Sequence, residues 1–211
     1  VLAPDLLGHG LSPHEPPWRL DHHLAAVLET VGDEAATWIG HSFGGRLVLE
    51  LAALGPDLVE GLVLLDPAIH VLPHVALFAA EGARADRSYS TIEEAIERRL
   101  EESVLLPTAR ARVEDEIPNH LVVHDDRRLR YRYSQAAVVA AYGELAVEPP
   151  PFEAVRVPTL VVAGIDSYVP YGPFEVAHRD ALGDLLEVTT VPGGHTVLWD
   201  APDETAAAIV R

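Results

Sequence analysis

The chain has 211 residues, enough for one domain, or one domain with an insertion, built around a sizeable core. A hydrophobic share of 48% and a mean hydropathy of +0.12 describe a folded globular chain, and no apolar run approaches the roughly 18–20 residues of a membrane span. A formal charge of −18 argues against nucleic-acid and anionic-membrane partners, zero cysteines exclude disulfides and thiolate chemistry, and the lack of lysine excludes a Schiff base or a Gly-Lys-Ser phosphate loop.

In chain order, residues 1–5 read as the end of a strand entering a loop. The chain contains no methionine, so the expectation is that an N-terminal portion of a longer protein precedes Val1. His22 and His23 fall at the start of a helix. Neighbouring side chains on a helix diverge by about 100°, so the pair reads as surface residues rather than a metal site. A strand ending at Trp38-Ile39 precedes a helix over residues 45–54, where Leu47, Val48, Leu51, Ala52 and Leu54 recur at helical spacing. The continuous apolar run 61–65, stopped by Asp66-Pro67, predicts a buried parallel strand.

The stretch 68–148 is richer in charge and reads as helices. Ser90-Thr91-Ile92-Glu93-Glu94 offers a capping-box start, and residues 133–145 form a second helix candidate before the stiff Glu148-Pro149-Pro150-Pro151 linker. Strands at 159–164 and 185–191 then flank a helix over 174–182. Strand and helix alternating in this order imply a parallel sheet covered on both faces. The expected division is a first core part, residues 1–67; a helical cap, 68–150; and a second core part, 151–211. Chain residues 204–211 stop inside an apparent helix.

Chemistry concentrates at Gly40-His41-Ser42-Phe43-Gly44-Gly45. The Gly-x-Ser-x-Gly pattern between a strand and a helix is that of a nucleophile elbow. There, glycines two residues to either side relieve the crowding around a strained serine whose hydroxyl stands exposed. A serine hydroxyl needs a base and a group to orient that base. His195, on the glycine-rich loop after the strand 185–191, is the base candidate. Asp166, just past the strand ending at Gly164, is the favoured acid. Asp66, directly after the strand 61–65, is the alternative, its plainer reading being a turn residue before Pro67. Asp5, His9 and Ser12 read as a loop held by polar contacts.

Five segments in order resemble the α/β-hydrolase family, in particular its small, cap-bearing esterases, lactonases and carbon–carbon hydrolases. They are Val1–Ser12, the elbow, Leu62–Pro67, the acid loop Leu160–Asp166 with Val169-Pro170, and the base loop Gly194-His195 with Trp199-Asp200-Ala201-Pro202. The resemblance implies an α/β fold, with a mostly parallel sheet, helices on both faces and a helical cap inserted between two strands. It implies a Ser42, His195, Asp166 triad acting on a carboxylic ester, lactone or related acyl substrate, with the Phe43 N–H as one oxyanion donor. It implies no cofactor and no metal. Carbon–carbon hydrolysis, cofactor-free perhydrolysis and a non-catalytic receptor are the alternatives on the same scaffold. Partners reduce to a small-molecule substrate, without nucleic acid or membrane, and the expected location is cytoplasmic. The chain departs from the family pattern in two ways: one residue rather than two separates Gly164 from Asp166, and the loop that supplies the second oxyanion donor would lie upstream of Val1. About three strands and a helix are expected there, one strand lying between those ending near Pro4 and Ile39.

Overall fold

The computed structural model describes residues 1–102, 108–169 and 171–210. Pro170 of the expected acid loop and Arg211 of the last expected helix lie outside them. The chain runs through α1 (Leu20–Val31), β1 (Ala36–His41), α2 (Phe43–Leu54) and β2 (Val59–Leu65). It then leaves the sheet for α3 (Pro73–Ala83), β3 (Ser88–Tyr89), α4 (Ile92–Glu102), α5 (Arg110–Glu116), β4 (Leu121–Val123), β5 (Leu129–Tyr131) and α6 (Gln135–Leu145). It returns in β6 (Thr159–Gly164), α7 (Gly172–Leu182), β7 (Leu186–Val191), α8 (Val197–Asp200) and α9 (Pro202–Ile209).

Four parallel strands form the main sheet in the order β1-β2-β6-β7. The central strand β2 explains its own unbroken apolar run. Leu62 and Leu64 face a core shared with α1, α2, Phe152 and Leu182, while Val63 and Leu65 face a second core with Val197, Ala201 and Ala208. A strand covered on both faces has no polar side to show in its sequence. β1 lies at one edge of the sheet, with Ile39 half exposed. Residues 1–5 are irregular rather than the end of a strand, and no neighbouring strand pairs with them among the described residues.

The segment between β2 and β6 differs from the all-helical expectation. Among the described residues it holds, besides α3, α4, α5 and α6, a three-stranded antiparallel sheet, β3-β5-β4, around a small core of Tyr89, Ala95, Ile96, Val113 and Ile117. Strands of two and three residues are too short to carry a period-2 pattern, which is why they read as helical surroundings. The expected helix start at Ser90-Thr91 is present: the Glu94 N–H donates to Thr91 Oγ1 at 3.1 Å and its carboxylate accepts the Ser90 N–H at 2.6 Å. The N-terminal loop packs against this segment, with the Gly10 N–H on the Arg132 carbonyl and the Ser134 N–H on the Gly8 carbonyl. Among the described residues no helix is long and apolar enough to cross a membrane.

Candidate active site

The β1–α2 junction forces Ser42 into φ 54°, ψ −117°, a left-handed conformation costly for a residue with a Cβ. Local hydrogen bonds hold it there. The Ser42 N–H donates to the Leu65 carbonyl of β2 at 3.1 Å, and its carbonyl accepts from Gly45 and Ala68. The glycines differ in what they do. A Cβ on Gly40 would run into the Gly44 carbonyl, and one on Gly45 would stand 2.8 Å from Pro67 Cβ, but one on Gly44 would meet open space. The tight turn therefore rests on Gly40 and Gly45, whereas the pattern singled out Gly40 and Gly44.

Ser42 Oγ donates to His195 Nε2 at 2.8 Å, and His195 Nδ1 donates to Asp66 Oδ2 at 2.6 Å. Asp66 sits at the end of β2 with φ 41° and is almost fully buried. Its other contacts are met as well. Oδ1 accepts the Gly164 N–H at 2.9 Å, Oδ2 accepts the Ser167 hydroxyl at 2.5 Å, and its own N–H reaches the Val162 carbonyl. A carboxylate with this many donors is held in one orientation, its buried oxygens all hydrogen-bonded.

The expectation that Asp166 orients His195 is corrected here. The Asp166 side chain is exposed, and the residue contributes its backbone N–H instead, which donates to the Gly193 carbonyl at 2.9 Å. The shortened Gly164-Ile165-Asp166 spacing turns the carboxylate outward and puts Ser167, not an aspartate, against the interior. The loop bearing His195 is held closely on that side: a Cβ on Gly164 would strike the Gly194 carbonyl.

Three further residues shape the site without having been singled out from sequence. His41 Nε2 donates to the His195 carbonyl at 2.7 Å, with the two rings 4.8 Å apart. Burial holds its pKa below the usual histidine value, so that ring stays neutral beside His195. Tyr168 meets the His195 ring edge-on at 5.1 Å. Ser167 completes the Asp66 cradle. Phe43, the expected oxyanion donor, is the first residue of α2, where an N–H has no carbonyl four residues earlier in the helix to bond.

His23, expected at the surface, is buried instead, with its ring edge-on to Phe43 at 5.5 Å, and burial lowers its pKa. His22 is exposed and pairs with Asp21. Asp5 and Ser12 form the expected polar loop: Asp5 Oδ2 accepts the Leu11 N–H and the Ser12 hydroxyl donates to the Asp5 carbonyl. Among the described residues no group of three or more histidines and carboxylates stands in position to hold a metal ion.

The chain is similar in sequence and fold to known proteins. The sequence profile of the Alpha/beta hydrolase family matches residues 1–208. The chain is 34% identical over 232 aligned residues to Lipase LipV of Mycobacterium tuberculosis, covering 99% of this chain and 81% of that one. A shorter match, 35% identical over 101 residues and covering 45% and 40% of the two chains, relates it to Esterase YbfF of Escherichia coli. Among solved structures, E-2-(Acetamidomethylene)succinate Hydrolase superposes with a TM-score of 0.81 at 26% identity, over 98% of this chain and 78% of that one. The chain belongs to the alpha/beta hydrolase family and is a hydrolase.

Proposed function

We propose that the protein hydrolyses carboxylic esters or lactones through an acyl-enzyme, with Ser42 as nucleophile, His195 as base and Asp66 as the group that orients the base. The observation that carries the reading is the unbroken hydrogen-bond chain from Ser42 Oγ through both ring nitrogens of His195 to Asp66. His195 Nε2 takes the hydroxyl proton as Ser42 attacks the carbonyl, then returns it to the departing alkoxide. Asp66 fixes the Nδ1–H tautomer and stabilises the imidazolium. The Phe43 N–H, at the positive end of α2, faces the charge that develops on the carbonyl oxygen. Water attacking with His195 as base then frees the acid. The ester reading is supported by the relatives named lipase and esterase. In this reading residues 68–150 roof the site and set substrate size, and no cofactor takes part.

The test is labelling with a fluorophosphonate alongside turnover of short p-nitrophenyl esters and lactones. The parent protein is expected to label and to turn over, and Ser42→Ala to do neither. Labelling that survives in Ser42→Ala overturns the nucleophile assignment.

A further inference from the structure

The loop that carries His195 is held on one side by β6. What holds it on the other is a carboxylate to which the mechanism above gives no part. Asp200 closes α8 and folds back along the loop. Its Oδ2 accepts the Gly194 N–H at 2.8 Å and its Oδ1 accepts the Thr196 hydroxyl at 3.2 Å, so it grips the residue before His195 and the residue after it. The fit is close: Gly193 lies at φ 103°, and a Cβ there would strike Asp200 Cβ. The same Oδ1 accepts the hydroxyl of Thr108 at 2.5 Å, and Thr108 Oγ1 also stands 3.0 Å from Thr196 Oγ1. Thr108 belongs to the segment inserted between β2 and β6, so one carboxylate joins that segment to both flanks of the base.

We infer that Asp200 is a positioning residue for His195, setting the imidazole between Ser42 and Asp66, and that Thr108 makes this alignment depend on the seating of the inserted segment. The inference rests on the Ser42–His195–Asp66 reading. A misplacement of about 1 Å at a base can cost some hundredfold in rate, because proton transfer needs the ring nitrogen within hydrogen-bond reach of the hydroxyl. The three contacts fall on the loop backbone and on hydroxyls, none of which requires a charge. An amide at position 200 can accept the Gly194 N–H through its oxygen and donate to a threonine hydroxyl through its nitrogen. The charge is therefore dispensable and the geometry is not.

The experiment compares Asp200→Ala, Asp200→Asn and Thr108→Val with the parent, reading kcat and KM on a p-nitrophenyl ester, the rate of fluorophosphonate labelling, and Tm. Asp200→Ala is expected to lower kcat and the labelling rate together by tenfold or more with KM within about twofold, and Asp200→Asn to recover most of that loss. Thr108→Val is expected to lose three- to tenfold in kcat with its Tm within a few degrees of the parent. A merely structural contact would lower Tm without this split. Asp200→Ala within twofold of the parent, Asp200→Asn as impaired as the alanine, or an unchanged Thr108→Val overturns the inference. If Asp200→Ala does not fold, the other two variants decide it. Ser42→Ala runs beside them: hydrolysis surviving there defeats the catalytic reading itself, whereas an inert Ser42→Ala with unaffected Asp200 variants defeats only the role of Asp200.

Discussion

Asp66 and Asp166 are the same side chain at the ends of adjacent strands, and their surroundings separate them. Asp66 is enclosed by the Gly164 N–H, the Ser167 hydroxyl and His195 Nδ1, whereas the Asp166 carboxylate is exposed. At position 66 an amide can present an N–H to His195 Nδ1, which favours the tautomer whose Nε2 cannot accept the Ser42 proton. Asp66→Asn is therefore expected to lower kcat by about 10³- to 10⁴-fold with little change in KM, and Asp166→Asn to stay within a few-fold of the parent. Steady-state kinetics on one ester decides between them, and the reverse ranking would restore Asp166 as the acid. Of the proposed triad, Ser42 and His195 were legible because a motif and a glycine-rich loop mark them. The acid was not, since both aspartates follow a buried strand and both keep the order Ser, Asp, His. Only the pairing of β2 with β6, and the loop register after Gly164, selects one, and these are contacts 98 and 129 residues apart in sequence.

At the scale of elements, α2 does more than present Ser42. Arg46, one turn along it, is fully buried, and its guanidinium reaches both ends of the inserted segment. One nitrogen donates to the Ile69 carbonyl at 2.7 Å and the Val147 carbonyl at 3.0 Å, the other terminal nitrogen to the Glu148 carbonyl at 2.9 Å, while Nε meets Glu50 at 2.8 Å. The planar fork satisfies three backbone carbonyls from both boundaries of the segment, something an ammonium cannot reproduce. Arg46→Met is expected to destabilise by about 3–5 kcal/mol, since buried carbonyls and Glu50 lose their donor together. That corresponds to a fall in Tm of about 6–20 °C by calorimetry, with Arg46→Lys recovering only part, and a change under about 1 kcal/mol would refute the clamp. The elements themselves follow the sequence closely where they are long. α2 and β2 lie within two residues of their expected spans, because four or more apolar positions fix the period. Arg46 escaped notice because it stands within an apolar stretch, where its i+4 partner Glu50 reads as an ordinary surface pair.

For the whole molecule, acid acts in two opposed ways. Lowering pH from 7 toward the pI of about 4.8 relieves the self-repulsion of a chain carrying −18 charges. Buried imidazoles act against this. His178 on α7 is fully buried, stacks on Phe152 at 4.2 Å and accepts the Tyr171 hydroxyl at 2.9 Å, and burial alone lowers its pKa from 6.5 to about 4. The unfolded chain therefore takes up this proton near pH 6.5 and the folded chain only near pH 4. The stabilisation is complete above pH 6.5 and is lost as pH falls through that window, by about 2 kcal/mol at pH 5. His23 and His41 shift in the same direction from the same cause and add to the loss. The parent is thus expected to lose Tm between pH 7 and pH 5 despite its shrinking charge. His178→Gln, uncharged at both pH values, starts from a lower Tm at pH 7, but its fall should be smaller than the parent's by about 4–8 °C. Calorimetric scans of the two proteins at both pH values give the comparison. Equal falls would mean that the buried imidazole does not control acid stability.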